Sequence, residues 1–218
     1  MILKRLSLIS LMLILSLTLT GLSCKKSTST PTSSPTTSSS SDLTNVDPTS
    51  INESISKYLD LAKTKAREWK NDAALMRITI NLPVTLIPGE ASESYIFVTS
   101  QEKSYWFVIS IAESSGKFLR SLISKEDYLG ANLQPINENY WKINYLEAFQ
   151  IAEKSGGKDF RTKNQYSQVS LYLSTEEPKG WLWWVAEYTN QAKEVTKFRI
   201  NPYDKSVVDE NGNIIPSQ

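Results

Sequence analysis

The chain has 218 residues, of which 40% are hydrophobic, and it carries 24 basic against 23 acidic side chains. The chain therefore has no surplus of basic side chains to steer nucleic acid to it, whereas nucleic-acid-binding domains usually carry a clustered excess of Lys and Arg. The sequence has no histidine and one cysteine, which excludes histidine-dependent nucleophilic pairs, histidine metal sites and intramolecular disulfides.

The N-terminus has the order of features found in a bacterial lipoprotein export signal. Lys4 and Arg5 precede an apolar run at 6–20, which is shorter than the roughly 20 residues that a spanning helix needs. Small and apolar residues then lead to Cys24. The resemblance implies a signal peptide at 1–23, a diacylglycerol on the cysteine sulfur, and usually a palmitate chain on the amine freed by cleavage. An uncleaved anchor, or secretion with a free thiol, is the alternative.

Residues 24–44 are predicted to form a flexible linker. Positions 27–41 contain only Ser, Thr and Pro, a composition that has no apolar surface to bury and is expected to stay disordered. A chain of this length reaches roughly 20–25 Å by random-coil scaling. We therefore expect a domain that is lipid-anchored to a membrane of the bacterial cell envelope and held on the extracytoplasmic side. Without the two basic residues of the signal, the chain has 22 basic and 23 acidic side chains, so no nucleic-acid partner is expected.

The first half of the folded part begins with one amphipathic helix. Asp47 is a helix-capping residue and Pro48 suits the first helical position. Apolar side chains then recur at spacings of three and four as far as about Lys70. Segments rich in β-forming residues follow, with a hairpin turn at 114–116. These strands are predicted at 75–82, 95–99, 105–111 and 118–123.

The second half repeats this order of elements. Asn144 and Glu147 have the spacing of a capping box at a helix start, and Gly156 with Gly157 is expected to end that helix. Further strands are predicted at 168–173, 181–188, 195–200 and 206–208.

The repeated order predicts an α+β fold made of two αβββ(β) units. The units span 45–135 and 136–218, and each is expected to be an antiparallel sheet with one helix packed across a face. Because each unit alone offers little core, we expect the two to pack together, either by extending one sheet or by pairing two.

The second unit contains segments that resemble a PepSY domain. They are Ala148-Phe149-Gln150-Ile151-Ala152, Gly156-Gly157-Lys158-Asp159-Phe160, Trp183-Trp184-Val185 and the run from Ile200 to Val208. In the first unit, Trp106-Phe107-Val108 matches the W-x-V strand of such domains. The resemblance implies a small antiparallel sheet with a helix across one face, in an extracytoplasmic protein that often carries tandem copies. Some PepSY-like domains are thought to restrain peptidases.

Carboxylates are the remaining candidates for acid–base chemistry. Glu126 with Asp127, and Asp204 with Asp209, lie at predicted strand ends or turns, where a solvated charge is the simpler interpretation. The acidic and amide residues around Asp209 do not have the spacing of an EF-hand loop. We therefore expect a protein that is not an enzyme, with no catalytic residue, no metal site and no cofactor.

An aromatic segment is the feature that most favours a function. In the strand predicted at 181–188, alternate side chains face opposite sides. The PepSY comparison places Trp183 in the core, so the residues next to it in the chain face the opposite side of the sheet. It places Trp106 of the first unit in the core in the same way, so the neighbours of Trp106 also face the opposite side. The neighbours in question are Trp184, Leu182, Tyr105 and Phe107. We expect them either to fill the contact between the units or to form an exposed binding surface.

Two functions are compatible with these expectations. In the first, the protein is a membrane-anchored, non-catalytic binding module that contacts or restrains a peptidase or another envelope protein. In the second, it uses an aromatic sheet face to bind or sense a small ligand, which is a peptide, a sugar or a lipid.

Overall fold

One antiparallel sheet with helices across one face accounts for the part of the chain that the structure describes. The computed structural model describes residues 43–126, 134–164, 167–176 and 180–216, which belong to one compact unit, Ser39–Gln218. The export signal, Cys24 and the Ser/Thr/Pro tract lie outside these residues. The helices are α1 (Pro48–Trp69), α2 (Tyr145–Ala152) and α3 (Lys158–Lys163). The strands are β1 (Ala74–Leu82), β2 (Ser92–Thr99), β3 (Glu102–Ala112), β4 (Lys117–Ser124), β5 (Gln168–Glu176), β6 (Trp181–Thr189), β7 (Val195–Ile200), β8 (Val207–Val208) and β9 (Ile214–Ile215).

The two halves of the chain share this sheet. The strand order is β4-β3-β2-β1-β5-β6-β7-β8-β9. The halves meet where β1 pairs antiparallel with β5, with Ile78 opposite Leu173 and Ile80 opposite Leu171. All four side chains are buried in the core between sheet and helices. Of the two arrangements expected from the sequence, the structure therefore shows the extension of one sheet.

The first helix covers the first half of the sheet at close range. Ala62 and Ala66 of α1 are fully buried in the core. Because their side chains are only methyl groups, the backbone of α1 can lie close to the strands. At its end, Trp69 stacks on Phe107 of β3, with ring centroids 5.1 Å apart and planes 11° apart. Fully burying one large apolar side chain contributes about 1.5–3 kcal/mol, so this pair holds the last turn of α1 to the sheet.

The second helix starts where the sequence predicts. The side-chain oxygen of Asn144 accepts a hydrogen bond from the backbone N–H of Glu147 at 2.9 Å, as expected of an N-cap. The preceding carbonyl, that of Ile143, accepts the indole N–H groups of Trp141 and Trp184 at 2.7 and 3.0 Å. Since Trp184 belongs to β6, the start of α2 is fastened to the sheet.

The second helix ends at the glycine pair, as predicted, but a third helix that the sequence did not predict follows directly. The chain makes a wider turn over Glu153–Gly157, in which Gly156 has a φ of 127°, and it continues into α3. A Cβ at Gly157 would lie 2.4 Å from the ring of Tyr188 on β6. The first glycine therefore permits a kink that other residues rarely adopt, and the second permits the close approach of helix and strand.

The strands predicted from the sequence are confirmed to within a few residues. The α+β class is also confirmed. Two differences affect the surface and the core. β2 begins at Ser92, three residues before the predicted start, so that Glu93 lies in a strand and points into the core. The short strand β9 was not predicted at all, and it forms the edge of the sheet next to β8. The PepSY-like character of the two halves stays a prediction.

Candidate functional site

The structure separates the four residues that the sequence grouped as a possible surface. Trp184 is 1% exposed, and Phe107 is buried in the same core beneath the helices. Leu182 is partly buried against that core. Tyr105 is 44% exposed. These four side chains therefore do not form a common exposed surface, and the two most deeply buried of them stabilise the fold.

The faces of the two aromatic strands are the reverse of those expected from the PepSY comparison. Trp184 lies opposite helix-facing core residues of β5 and β7, so Trp183 points away from the helices, toward the open face of the sheet. In the first half Trp106 also lies on the open face. It belongs to a separate small cluster with Met76, Ile96 and Val108.

A groove lined by aromatic side chains lies where β6 begins. Its volume is about 1180 Å³. Its walls come from β6, β7, the β8–β9 hairpin and the segment that precedes α2. We call it the aromatic groove; its principal lining residues are Tyr140, Trp181, Trp183, Arg199, Tyr203 and Ile214.

Three large aromatic rings of the aromatic groove are exposed to solvent. Tyr140, Trp181 and Tyr203 are 57%, 54% and 59% exposed. The rings of Tyr140 and Tyr203 meet edge to face at 6.2 Å, and those of Trp181 and Trp183 lie 6.2 Å apart at 44°. Aromatic side chains grouped in this way on a surface mark an interaction site more often than an isolated exposed ring does.

Hydrogen bonds fix the segments that carry the two tyrosines. The backbone N–H of Lys142 donates to the carbonyl of Pro202 at 2.9 Å, which joins the short helical turn around Tyr140 to the turn after β7. The side-chain oxygen of Asn201 accepts the N–H of Tyr203 at 2.9 Å. The rings are therefore presented by segments that are tied to each other and to the sheet edge.

The rim of the aromatic groove is polar and carries little net charge. Four carboxamides contribute to it: Gln134, Asn137, Asn201 and Asn211. Its charged side chains are Arg199, Asp204 and Glu210. A guanidinium nitrogen of Arg199 lies 3.3 Å from the carbonyl oxygen of Asp209 and 3.5 Å from that of Glu210, which braces the β8–β9 hairpin.

The carboxylates considered for acid–base work are engaged in their own turns. The hydroxyl and backbone N–H of Ser206 donate to Asp204 and hold the pKa of that carboxyl below its usual range. Asn213 does the same for the pKa of Asp209. Both groups are therefore ionised at neutral pH, which favours the interpretation as solvated turns. Glu126 is exposed just after β4, and its predicted companion Asp127 lies outside the described residues.

A buried acidic cluster was missed by the sequence reasoning. Glu93 is 1% exposed, and one of its carboxyl oxygens accepts the hydroxyl of Tyr95, while the other has no partner among the described residues. Burial, followed by the neighbouring Glu113 carboxyl, raises the pKa of Glu93 to about 8. Burial and the same two carboxyls also raise the pKa of Tyr145. The protonated Glu93 carboxyl is thus the form that this part of the core accommodates.

Comparisons with known proteins do not identify a family or a function for this chain. Nothing matches the chain among protein-family models, curated proteins or solved structures. Within the described ranges, no set of three or more acidic or cysteine side chains is placed to hold a metal ion. The helices in those ranges also lack the combination of length and apolar character that crossing a bilayer requires.

Proposed function

We propose that this protein is a lipid-anchored, extracytoplasmic binding module, and that the aromatic groove is its non-catalytic binding surface. The observation that carries the proposal is the exposure of three large rings, Tyr140, Trp181 and Tyr203, around one groove of about 1180 Å³. Leaving such rings in water forgoes the stabilisation that burial would give. A ligand that covers them would recover it.

The anchor part of the proposal depends on Cys24, which the sequence places between a signal-like segment and a Ser/Thr/Pro tract. One acyl chain binds a membrane weakly, at about 0.8 kcal/mol for each buried methylene, whereas two or three chains anchor stably. The tract would let the groove reorient above the membrane.

Replacing the anchoring residue, Cys24→Ala, is expected to abolish incorporation of radiolabelled palmitate and either to release the protein from the membrane fraction or to leave the signal uncleaved. Metabolic labelling and cell fractionation measure this, and a Ser23→Ala variant serves as the control. A cleaved Cys24→Ala protein that stays in the membrane fraction would count against lipidation.

Photo-crosslinking in living cells tests the binding surface without assuming the class of ligand. Replacing Tyr203 by p-benzoylphenylalanine should give a covalent adduct on irradiation, detected as a mass shift of the purified protein. The matched control is the same replacement at Tyr105, which is exposed but lies on β3, outside the aromatic groove. Adducts of equal yield at both positions, or none at Tyr203, would contradict the proposal. A peptidase or other envelope protein in the adduct would identify the partner as a protein.

A further inference from the structure

We propose that the aromatic groove binds a glycan chain without net charge, as a polysaccharide of the envelope would present. This inference rests on the proposed function, because it names the chemistry of the ligand for the same surface. The rings, the polar rim and the charge of the groove each support it.

The exposed rings suit the flat faces of sugar rings. A pyranose presents C–H groups on its faces, and these carry partial positive charge, whereas the face of an aromatic ring is negative. Trp181 and Trp183 provide two neighbouring indoles, 6.2 Å apart. Tyr140 and Tyr203 provide a second pair at the same distance. A groove with two ring pairs fits a chain of several sugar units better than it fits a single sugar unit.

The polar rim suits the hydroxyl groups at the edges of sugar rings. A carboxamide carries a donor and an acceptor side by side, so it can bond to two adjacent hydroxyls at once. The side-chain amides of Gln134 and Asn211 make no hydrogen bond to any described residue, and both line the groove. Asn201 uses its oxygen to hold the N–H of Tyr203, which links one rim amide to the position of one ring.

The charge of the groove argues against a polyanionic chain. Its lining contains one cation, Arg199, against the two anions Asp204 and Glu210. The guanidinium is also directed at backbone carbonyls of the β8–β9 hairpin. Binding of anionic polymers requires a local excess of positive charge, and the groove has none.

The shape of the groove argues against an added peptide strand. Peptides that bind by strand addition need an exposed sheet edge several residues long, whereas β9, which borders the groove, has two residues, Ile214–Ile215. The volume of about 1180 Å³ also exceeds the roughly 300–1,000 Å³ of usual small-molecule pockets, so an extended ligand fits it better than a single small molecule.

The test is a binding screen of the full chain, purified in detergent, on a printed array of neutral and acidic glycans, with a proline-rich decapeptide as the peptide probe. Neutral oligosaccharides of several units are expected to bind. Trp181→Ala and Tyr203→Ala should each weaken that binding at least tenfold in fluorescence titrations. Tyr105→Ala should change it less than twofold.

Three outcomes would overturn the inference: no neutral glycan binds, acidic glycans bind more tightly, or the peptide binds more tightly with the same dependence on Trp181. If a groove-specific photo-adduct at Tyr203 nevertheless forms in cells, the proposed binding function stands and only the glycan inference fails. If the adduct is absent as well, both fail.

Discussion

The free energy of unfolding is expected to fall as the pH rises from about 5 to about 8, because the fold must keep Glu93 protonated. The pKa of this carboxyl is about 8 in the fold against an ordinary value of 4.5, and burial is the largest cause. Between these two values the unfolded chain is ionised while the folded chain holds the proton. The full window therefore removes on the order of 5 kcal/mol of stability.

The matched variant is Glu93→Gln, which keeps the shape of the side chain and an oxygen for the Tyr95 hydroxyl but cannot ionise. Urea unfolding of a soluble form lacking residues 1–41, at pH 5, 6.5 and 8, measures the effect. The variant should lose most of the pH dependence and should exceed the native protein in stability at pH 8. Parallel curves for the two proteins would show that Glu93 does not titrate in this window.

Trp184→Ala is expected to lower the free energy of unfolding by about 3–5 kcal/mol, the usual range for removing a buried tryptophan from a core. The side chain is 1% exposed, packs edge to face on Trp141 at 6.1 Å, and donates to the carbonyl of Ile143 at 3.0 Å. Its loss leaves a cavity and weakens the attachment of α2 to β6.

Trp181→Ala on the same strand is the control, because its side chain is 54% exposed. Exposed substitutions usually change stability by about 0.5 kcal/mol or less. Denaturant unfolding should therefore show a large loss of stability for the variant of the core tryptophan. It should show little loss for the variant of the groove tryptophan three residues away. Equal losses of stability would contradict the assignment of the two side chains to opposite roles.

Local signals predicted most of the fold. The capping position of Asn144 and the alternation of apolar and polar residues in the strands are signals that each span only a few residues. The start of α2 and most strands could therefore be placed from the sequence. The role of Gly157 could not be predicted, because it depends on the approach of Tyr188, which lies 31 residues further along the chain. Glu93 was missed since a carboxylate in a strand normally predicts a solvated face, and only the tertiary structure shows its burial.

The candidate site was located in part. The sequence identified the aromatic segment around Trp183 but assigned its faces in reverse. One signal could have prevented this: Glu187 shares a face with Trp183, and it forms an ion pair with Lys197 of β7 at 2.8 Å. Charges on both strands mark the open face. Tyr140 and Tyr203 could not have been grouped with Trp183 from the sequence, because turns in separate parts of the chain bring them to the same groove.

A fluorine NMR titration tests most directly whether the aromatic groove is the binding surface. The six tryptophans would be replaced by 5-fluorotryptophan, their resonances assigned by single substitutions, and the protein titrated with a solubilised envelope extract. We expect the resonances of Trp181 and Trp183 to shift or broaden while those of the buried Trp106 and Trp184 stay unchanged. Unchanged groove resonances, or equal shifts at all six positions, would contradict the proposed function.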